Sequence, residues 1–282
     1  MQDSSMGLKE QIVKRAWLFD VDGVLTHPVE KKITEGELVE LICGMLERGE
    51  PVALNTGRSI DFMVEQVLSK LEGAVVDKNL LKNIMAIGEK GSVWINYDEL
   101  GDRLQSIDES VTVPIVIQEE VKRLVNDKFS EAVFYDETKK TMVSVEMRDG
   151  YDWEDFRRVQ VELDVGLLTI LEMHSLTKEL KIDPSRIATD VENKHVGKAL
   201  GAWRFLDWLG KKKITAQKFI AFGDSKSDVR MAEEINEQGR SVEFVFVGEK
   251  DLLEKVQFNF PVIYMTQRCE KGTVEYLKNF IK

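Results

Sequence analysis

The stretch DVDGVLT at residues 20–26 decides the fold that this sequence predicts, because it follows directly on the apolar run AWLF at residues 16–19. A short apolar run of this kind is typical of a buried strand, and the glycine marks a turn after it. Asp20 and Asp22 therefore stand where the strand ends. In a parallel α/β sheet, ligands bind just beyond the carboxyl ends of the strands, so this turn can carry chemistry.

The composition describes an ordinary globular protein and excludes some partners. The chain has 282 residues, 43% hydrophobic and 32% charged, which suits two domains. Its 39 basic and 50 acidic residues give a net charge of −11, which argues against binding the phosphate backbone of a nucleic acid. Two cysteines form neither a disulfide framework nor a metal-binding spacing. We expect a cytoplasmic protein without a signal peptide or a membrane-spanning segment.

The chain alternates between strand and helix patterns near both of its ends, whereas its middle has a different texture. Residues 1–107 and 187–282 predict an α/β fold with a Rossmann-like parallel-sheet core. Residues 108–186 combine helix patterns with strands, including residues 141–147, in which apolar and polar side chains alternate, and residues 167–172. The sequence therefore predicts an α+β domain inserted into the core.

Charged residues, a threonine and a glycine from four separate segments follow the core strands or begin a core helix. They are Asp20 and Asp22, Thr56 and Gly57, Lys198, and Asp224 and Asp228. Because the carboxyl ends of parallel strands lie on one edge of a sheet, residues far apart in the sequence can meet there. Lys194 is the alternative to Lys198, although it precedes the helix pattern. Arg58 either steers an anion or is an exposed residue at the start of a helix.

A meeting of several carboxylates needs a compensating charge. Two like charges about 4 Å apart repel by roughly 4 kcal/mol at an effective dielectric constant of about 20. Oxygen ligands without Cys or His select a hard cation, and Mg²⁺ is the usual one beside phosphate. A hydroxyl, an amide N–H and a lysine are what a phosphoryl group needs around its oxygens. Because a carboxylate can accept the phosphoryl group as an aspartyl-phosphate, the sequence predicts phosphoryl transfer to Asp20.

In this order and combination, the four motifs resemble those of the haloacid dehalogenase-like phosphatases. Within them, the chain is similar to the Cof-like sugar-phosphatase branch, which carries a C2-type α+β cap between the second and third motifs. The motifs are DVDGV at residues 20–24, Thr56-Gly57, Lys198, and GDSKSD at residues 223–228. The resemblance implies a catalytic core of residues 1–107 and 187–282 and a cap of residues 108–186 that selects the substrate.

The resemblance also implies a role for each motif residue. Asp20 would be the nucleophile and a Mg²⁺ ligand. Asp22 would protonate the leaving oxygen and then activate water, and its backbone carbonyl would ligate the metal. Asp224 would complete the protein ligands of the metal, and Asp228 would act through a water or by holding the other ligands. The residues implied to bind the phosphoryl group are Thr56, Gly57 and Lys198.

Three positions depart from the usual motifs of this family. Val24 stands where Thr is common, and Ser227 stands where Asn usually precedes the last Asp. Glu89-Lys90-Gly91 replaces the usual Glu-Asn-Gly after the third strand. Serine reaches less far than asparagine, which leaves the role of Ser227 open, and the resemblance gives no role to Lys90.

The predicted function is a Mg²⁺-dependent phosphatase that hydrolyses a small phosphorylated metabolite, either a sugar phosphate or a phosphorylated sugar acid. One alternative is a phosphomutase or phosphotransferase on the same scaffold, in which a sugar hydroxyl replaces water. Another is a binding or regulatory protein that has lost catalysis, although the intact acidic and phosphate-holding positions argue against it. We expect no nucleic acid and no membrane as partner, and the sequence leaves monomer and dimer open.

Overall fold

The computed structural model describes residues 10–254 and 256–281. The chain forms two compact units, one made of the residues up to Gln105 together with those from Gly197 onward, and the other of Ser106–Val196. Within the described residues, no helix has both the length and the apolar surface that a membrane span requires. The predicted α/β class with an inserted α+β domain is confirmed.

Strands and helices alternate along most of the chain. The first part contains β1 (Gln11–Phe19), α1 (Gly36–Glu47), β2 (Val52–Asn55), α2 (Ile60–Met63), α3 (Ser69–Ala74), β3 (Ile84–Gly88), β4 (Val93–Tyr97) and β5 (Arg103–Ile107). The middle contains α4 (Ile115–Leu124), β6 (Val133–Tyr135), β7 (Val143–Met147), α5 (Trp153–Met173), β8 (Leu180–Pro184) and β9 (Ala188–Asn193). The last part contains α6 (Lys198–Lys211), β10 (Ile214–Gly223), α7 (Val229–Glu237), β11 (Val242–Phe246), β12 (Val262–Tyr264) and α8 (Cys269–Ile281).

The larger unit is built on a sheet whose strand order is β12-β11-β10-β1-β2-β3-β4-β5. The strands from β12 to β3 run parallel, and β4 pairs antiparallel with β3. From β1, the chain builds the sheet outward through β2 and β3 on one side and later through β10 to β12 on the other. Such a change of direction opens a crevice at the carboxyl ends of the two central strands.

Strand β1 is fixed in place because both of its faces are buried. Trp17 and Phe19 belong to the hydrophobic cluster on one face of the sheet, and Ala16 and Leu18 belong to the cluster on the other. All four side chains are fully buried. Each large apolar side chain contributes about 1.5–3 kcal/mol when buried. Asp20, the residue that follows β1, is therefore held at a defined position beyond the carboxyl end of a central strand.

The inserted unit has its own sheet and its own core. Its strands form an antiparallel sheet in the order β6-β7-β9-β8. Val143, Val145 and Val191 pack in one hydrophobic cluster with Phe156 and Leu163 of α5. The strand predicted within residues 141–147 is therefore confirmed as β7, but the predicted alternation of buried and solvated residues is not, because Ser144 is buried as well as Val143 and Val145.

The prediction for the middle of the chain was wrong in one strand and missed another. Residues 167–172, predicted as a strand, lie inside α5, where Leu163, Leu167, Ile170 and Leu171 continue one buried helical face. Strand β9 was not predicted, and it pairs with β7 and β8. The structure therefore ends the inserted unit at Val196 instead of residue 186, and begins it at Ser106 instead of residue 108.

Candidate active site

The turn after β1 brings Asp20 close to the turn after β10. The backbone N–H of Asp20 donates to the carbonyl of Phe222 at 3.0 Å. Gly23 has φ +74°, and a Cβ atom added to it would lie 2.1 Å from Oδ2 of Asp224. Only glycine fits both this backbone conformation and this close approach. The two acidic turns therefore meet at the carboxyl ends of neighbouring strands.

Asp228 is held at the start of α7 by its own turn. Its Oδ2 accepts hydrogen bonds from the N–H of Ser225 at 3.0 Å and from the Ser225 hydroxyl at 2.6 Å. The N–H of Asp224 lies 3.3 Å from the same oxygen. Ser227 contacts the Ser225 hydroxyl at 2.9 Å, so it supports the turn that holds Asp228. The other carboxylate oxygen of Asp228 remains for the site.

Asp20, Asp224 and Asp228 each offer a carboxylate oxygen, and these oxygens lie within 4.8 Å of one another. Burial, together with the charge of Asp228, raises the pKa of Asp20 well above its ordinary value. The same two causes raise the pKa of Asp224 to about 6. The cluster is therefore short of positive charge, and its donors are all carboxylate oxygens. Both properties fit a divalent cation such as Mg²⁺.

Lys198 is the ammonium that faces this cluster. It is the first residue of α6, and its Nζ forms ion pairs with Oδ1 of Asp20 and, at 2.7 Å, with Oδ1 of Asp228. Its Nζ also donates to the carbonyl of Asn55 at 2.9 Å, while the Asn55 amide donates back to the Lys198 carbonyl at 2.9 Å. Burial lowers the pKa of Lys198, but the two carboxylates outweigh burial and raise it above its ordinary value. Lys198 is therefore charged.

Lys194, the alternative to Lys198, lies in the inserted unit. Nζ of Lys194 donates to the carbonyl of Thr177 at 2.7 Å, within the inserted unit. Between the two candidates, only Lys198 contacts the acidic cluster in the described structure. The position of Lys198 at the start of the helix after β9 explains this difference.

The carboxylate of Asp22 is not one of the three clustered carboxylates, and it pairs with two basic side chains. Arg58 donates to it through Nε and a terminal nitrogen, both at 3.2 Å, and Nζ of Lys31 lies 3.3 Å from Oδ1. Burial tends to raise the pKa of Asp22, but Arg58 and then Lys31 outweigh it and hold the pKa below its ordinary value. The expectation that Asp22 contributes to the metal site therefore concerns its backbone carbonyl only.

Thr56 and Gly57 follow β2, on the other side of β1. The Thr56 N–H donates to the carbonyl of Ile87 at 2.9 Å, and its Oγ1 accepts from the N–H of Arg58 at 3.1 Å. The tight loop is thus bonded to the end of β3. Thr56 lies directly after Asn55, whose carbonyl binds Lys198, so this loop adjoins the lysine of the acidic cluster.

The turn Glu89-Lys90-Gly91 joins the loop after β2 to the start of α6. The Lys90 N–H donates to the Thr56 carbonyl at 3.0 Å, and the Lys90 carbonyl accepts from the N–H of Gly197 at 2.7 Å. A Cβ atom added to Gly91 would lie 2.8 Å from the backbone nitrogen of Gly201, so α6 packs directly against this turn. The turn therefore helps to set the position of Lys198.

Sequence reasoning did not assign a role to Asn55 or Lys31, and it left Arg58 open. Asn55 ends an apolar strand directly before Thr56, and this polar residue at a strand end was the available signal. Lys31 has no such signal, because it reaches Asp22 only through the folding of the loop after β1.

Comparison with known proteins identifies the family. The haloacid dehalogenase-like hydrolase family matches residues 17–242, and the chain belongs to this family. A comparison with curated protein sequences gives no significant match.

Among solved structures, the chain is similar to the C-terminal domain of trehalose-6-phosphate phosphatase from C. albicans. The TM-score is 0.65 at 16% identity, covering 95% of this chain and 92% of that one. It is also similar to trehalose-6-phosphate phosphatase from Aspergillus fumigatus, with a TM-score of 0.55 at 18% identity over 94% and 93% of the two chains. ATP-bound IMP-nucleotidase from Plasmodium falciparum gives a TM-score of 0.58 at 14% identity over 96% and 60%. These likenesses concern the fold.

Proposed function

We propose that this protein is a Mg²⁺-dependent phosphatase that hydrolyses a small phosphorylated metabolite through an aspartyl-phosphate. The observation that carries the proposal is the clustering of Asp20, Asp224 and Asp228, from segments about 200 residues apart, with Lys198 paired to Asp20 and Asp228. The cluster lies at the edge of the sheet where ligands bind. Three carboxylates with one ammonium form a poor structural ion cluster but a suitable cation site.

The proposed metal ligands are the carboxylates of Asp20 and Asp224 and the backbone carbonyl of Asp22, with Asp228 acting through a water or by holding the others. Bound there, Mg²⁺ would neutralise charge on the phosphoryl oxygens. The all-oxygen donor set and the shortage of positive charge support this choice.

The proposed nucleophile is Asp20, one of whose oxygens attacks phosphorus while the ester bond to the leaving oxygen breaks. Asp22 in its protonated form gives a proton to that oxygen, and the carboxylate so formed then takes one from the water that hydrolyses the aspartyl-phosphate. The Thr56 hydroxyl and the Gly57 N–H hold phosphoryl oxygens. The Lys198 ammonium also holds a phosphoryl oxygen and keeps the Asp20 carboxylate in place, which its contact with that carboxylate supports.

The proposed substrate is a sugar phosphate or a phosphorylated sugar acid. Two of the similar folds are described as trehalose-6-phosphate phosphatases and another as an IMP-nucleotidase, so trehalose-6-phosphate and IMP belong in the first panel of compounds. The expected compartment is the cytoplasm, in keeping with the two free thiols of Cys43 and Cys269.

A panel of phosphorylated metabolites tests the proposal through the release of inorganic phosphate with Mg²⁺ and with EDTA. We expect Mg²⁺-stimulated release from at least one sugar phosphate. An isomerised sugar phosphate without free phosphate would indicate a phosphomutase instead. The absence of metal-stimulated turnover across the panel would indicate a binding or regulatory protein.

Substitution of Arg58 should change the pH dependence of turnover. Arg58 contributes to the lowered pKa of Asp22, so Arg58→Met is expected to raise that pKa. An aryl phosphate has a good leaving group, so we expect hydrolysis of the phosphoenzyme, in which Asp22 would act as a base, to limit its turnover. The acid limb of the kcat profile should therefore move to higher pH. Arg58→Lys, which keeps a charge, should move it less. An acid limb that stays in place in Arg58→Met contradicts the assignment.

A further inference from the structure

The cations already described at the site are engaged with carboxylates. Lys198 has three N–H protons, and its Nζ has three close oxygen neighbours, from Asp20, Asp228 and Asn55. Arg58 makes two hydrogen bonds to Asp22. A phosphoryl group bound beside Thr56 and Gly57 carries two negative charges, and a further positive partner on its outer side would add to the charge that the metal and Lys198 supply.

The side chain of Lys90 lies over the loop that would bind this phosphoryl group. A Cβ atom added to Gly57 would lie 3.6 Å from both Cγ and Cε of Lys90, which is van der Waals contact. The Lys90 backbone is fixed at both ends, by its bonds to Thr56 and Gly197. The aliphatic part of the Lys90 side chain therefore lies along Gly57. Its ammonium, bonded to Cε, lies close enough to contact a phosphoryl group bound by this loop.

The backbone conformation of Lys90 is an unusual one for a lysine. Glu89, Lys90 and Gly91 have φ values of 46°, 56° and 102°, three successive residues in the left-handed region. This region is unfavourable for residues with long side chains, and asparagine tolerates it better than lysine. Strain of this kind persists mainly at functional sites. A lysine at this position has a conformational cost that asparagine would reduce.

We propose that Lys90 is a further phosphate-binding residue, whose ammonium donates a hydrogen bond to a non-bridging oxygen of the substrate's phosphoryl group. The inference rests on the proposed phosphatase function and adds a residue to it. It also specifies the ligand chemistry: Lys90 recognises the phosphoryl dianion and not the alcohol that leaves. Its contribution should then be the same for substrates with different alcohols.

The test compares Lys90→Asn and Lys90→Arg with wild type. We expect Lys90→Asn to raise both the KM for an aryl phosphate and the inhibition constant of inorganic phosphate by about tenfold or more, the usual effect of losing a charge-assisted hydrogen bond. The same factor should hold for alkyl and sugar phosphates. Lys90→Arg should restore part of the loss. Lys82→Met is the matched control, because Lys82 pairs with exposed Glu99 and should leave both constants unchanged.

The outcomes separate this inference from the proposed function. If wild type hydrolyses no phosphate ester, the proposed function fails. If wild type is active and Lys90→Asn binds inorganic phosphate as tightly as wild type does, the role of Lys90 is refuted and the proposed function is not. A factor that differs between alcohols also refutes it, since Lys90 would then contact the leaving group. Because asparagine suits the left-handed conformation, Lys90→Asn should stay folded, and its Tm is measured beside the inhibition constant. A lower Tm with an unchanged inhibition constant would indicate a structural role instead.

Discussion

Asp20→Asn is expected to abolish the turnover of an aryl phosphate, by at least about 10⁴-fold, because an amide cannot replace the carboxylate nucleophile. The substitution also removes one negative charge from a buried cluster in which burial and Asp228 already raise the pKa of Asp20. The folded state should therefore be as stable as wild type, or more stable, in the absence of Mg²⁺. Steady-state kinetics and thermal unfolding of the same preparation measure both effects.

Asp207→Asn serves as the control for this experiment. Asp207 lies on α6 and pairs with Lys211, away from the acidic cluster, so the control should retain full activity. Turnover by Asp20→Asn at a rate near that of wild type would rule out Asp20 as the nucleophile. If Asp20→Asn loses activity because it unfolds, the prediction that it is at least as stable as wild type is refuted.

Lys198→Met is expected to lower the free energy of unfolding by about 3–5 kcal/mol at pH 8 without Mg²⁺, because it leaves buried carboxylates uncompensated. The pKa of Asp224, raised to about 6, means that the folded state binds this proton more tightly than the unfolded chain. Stability therefore increases as the pH falls through about 6, and the deficit of the variant should be smaller at pH 5. Added Mg²⁺ should restore part of the free energy of unfolding that Lys198→Met loses. Urea unfolding at both pH values, with and without Mg²⁺, measures these differences.

The matched control for this prediction is Lys211→Met on the same helix. Lys211 is exposed and pairs with Asp207 at 2.7 Å, and exposed pairs of this kind are worth at most about 1 kcal/mol. A Lys198→Met variant as stable as wild type at pH 8 without metal would show that the cluster does not carry the charges assigned to it.

The core of the site was predictable because parallel strands bring their carboxyl ends to one edge of a sheet. The apolar runs before Asp20 and Asp224 were sufficient to predict strands, and the order of the motifs predicted the family. The structure brings Asp20, Asp224, Asp228 and Lys198 together, as the sequence predicted. The orientation of the Asp22 side chain was not predictable, because it depends on Arg58 and on a loop residue, Lys31.

The inserted unit was less predictable because short apolar runs do not distinguish strand from helix. The run at residues 167–172 reads as a strand by itself, and only its continuity with Phe156 and Leu163 places it in α5. Strand β9 does not alternate, since the polar residues Thr189 and Glu192 are buried beside Ala188 and Val191. Its pairing with β7 and β8 comes from contacts that span the unit. Long-range pairing of this kind leaves little trace in local sequence.

A crystal structure of the protein soaked with Mn²⁺, located by its anomalous scattering, tests the central claim most directly. The account predicts one strong peak within about 2.0–2.3 Å of carboxylate oxygens of both Asp20 and Asp224, with the Lys198 ammonium on the far side of Asp20. A peak bound by other residues, or none at these two carboxylates at saturating Mn²⁺, would contradict it.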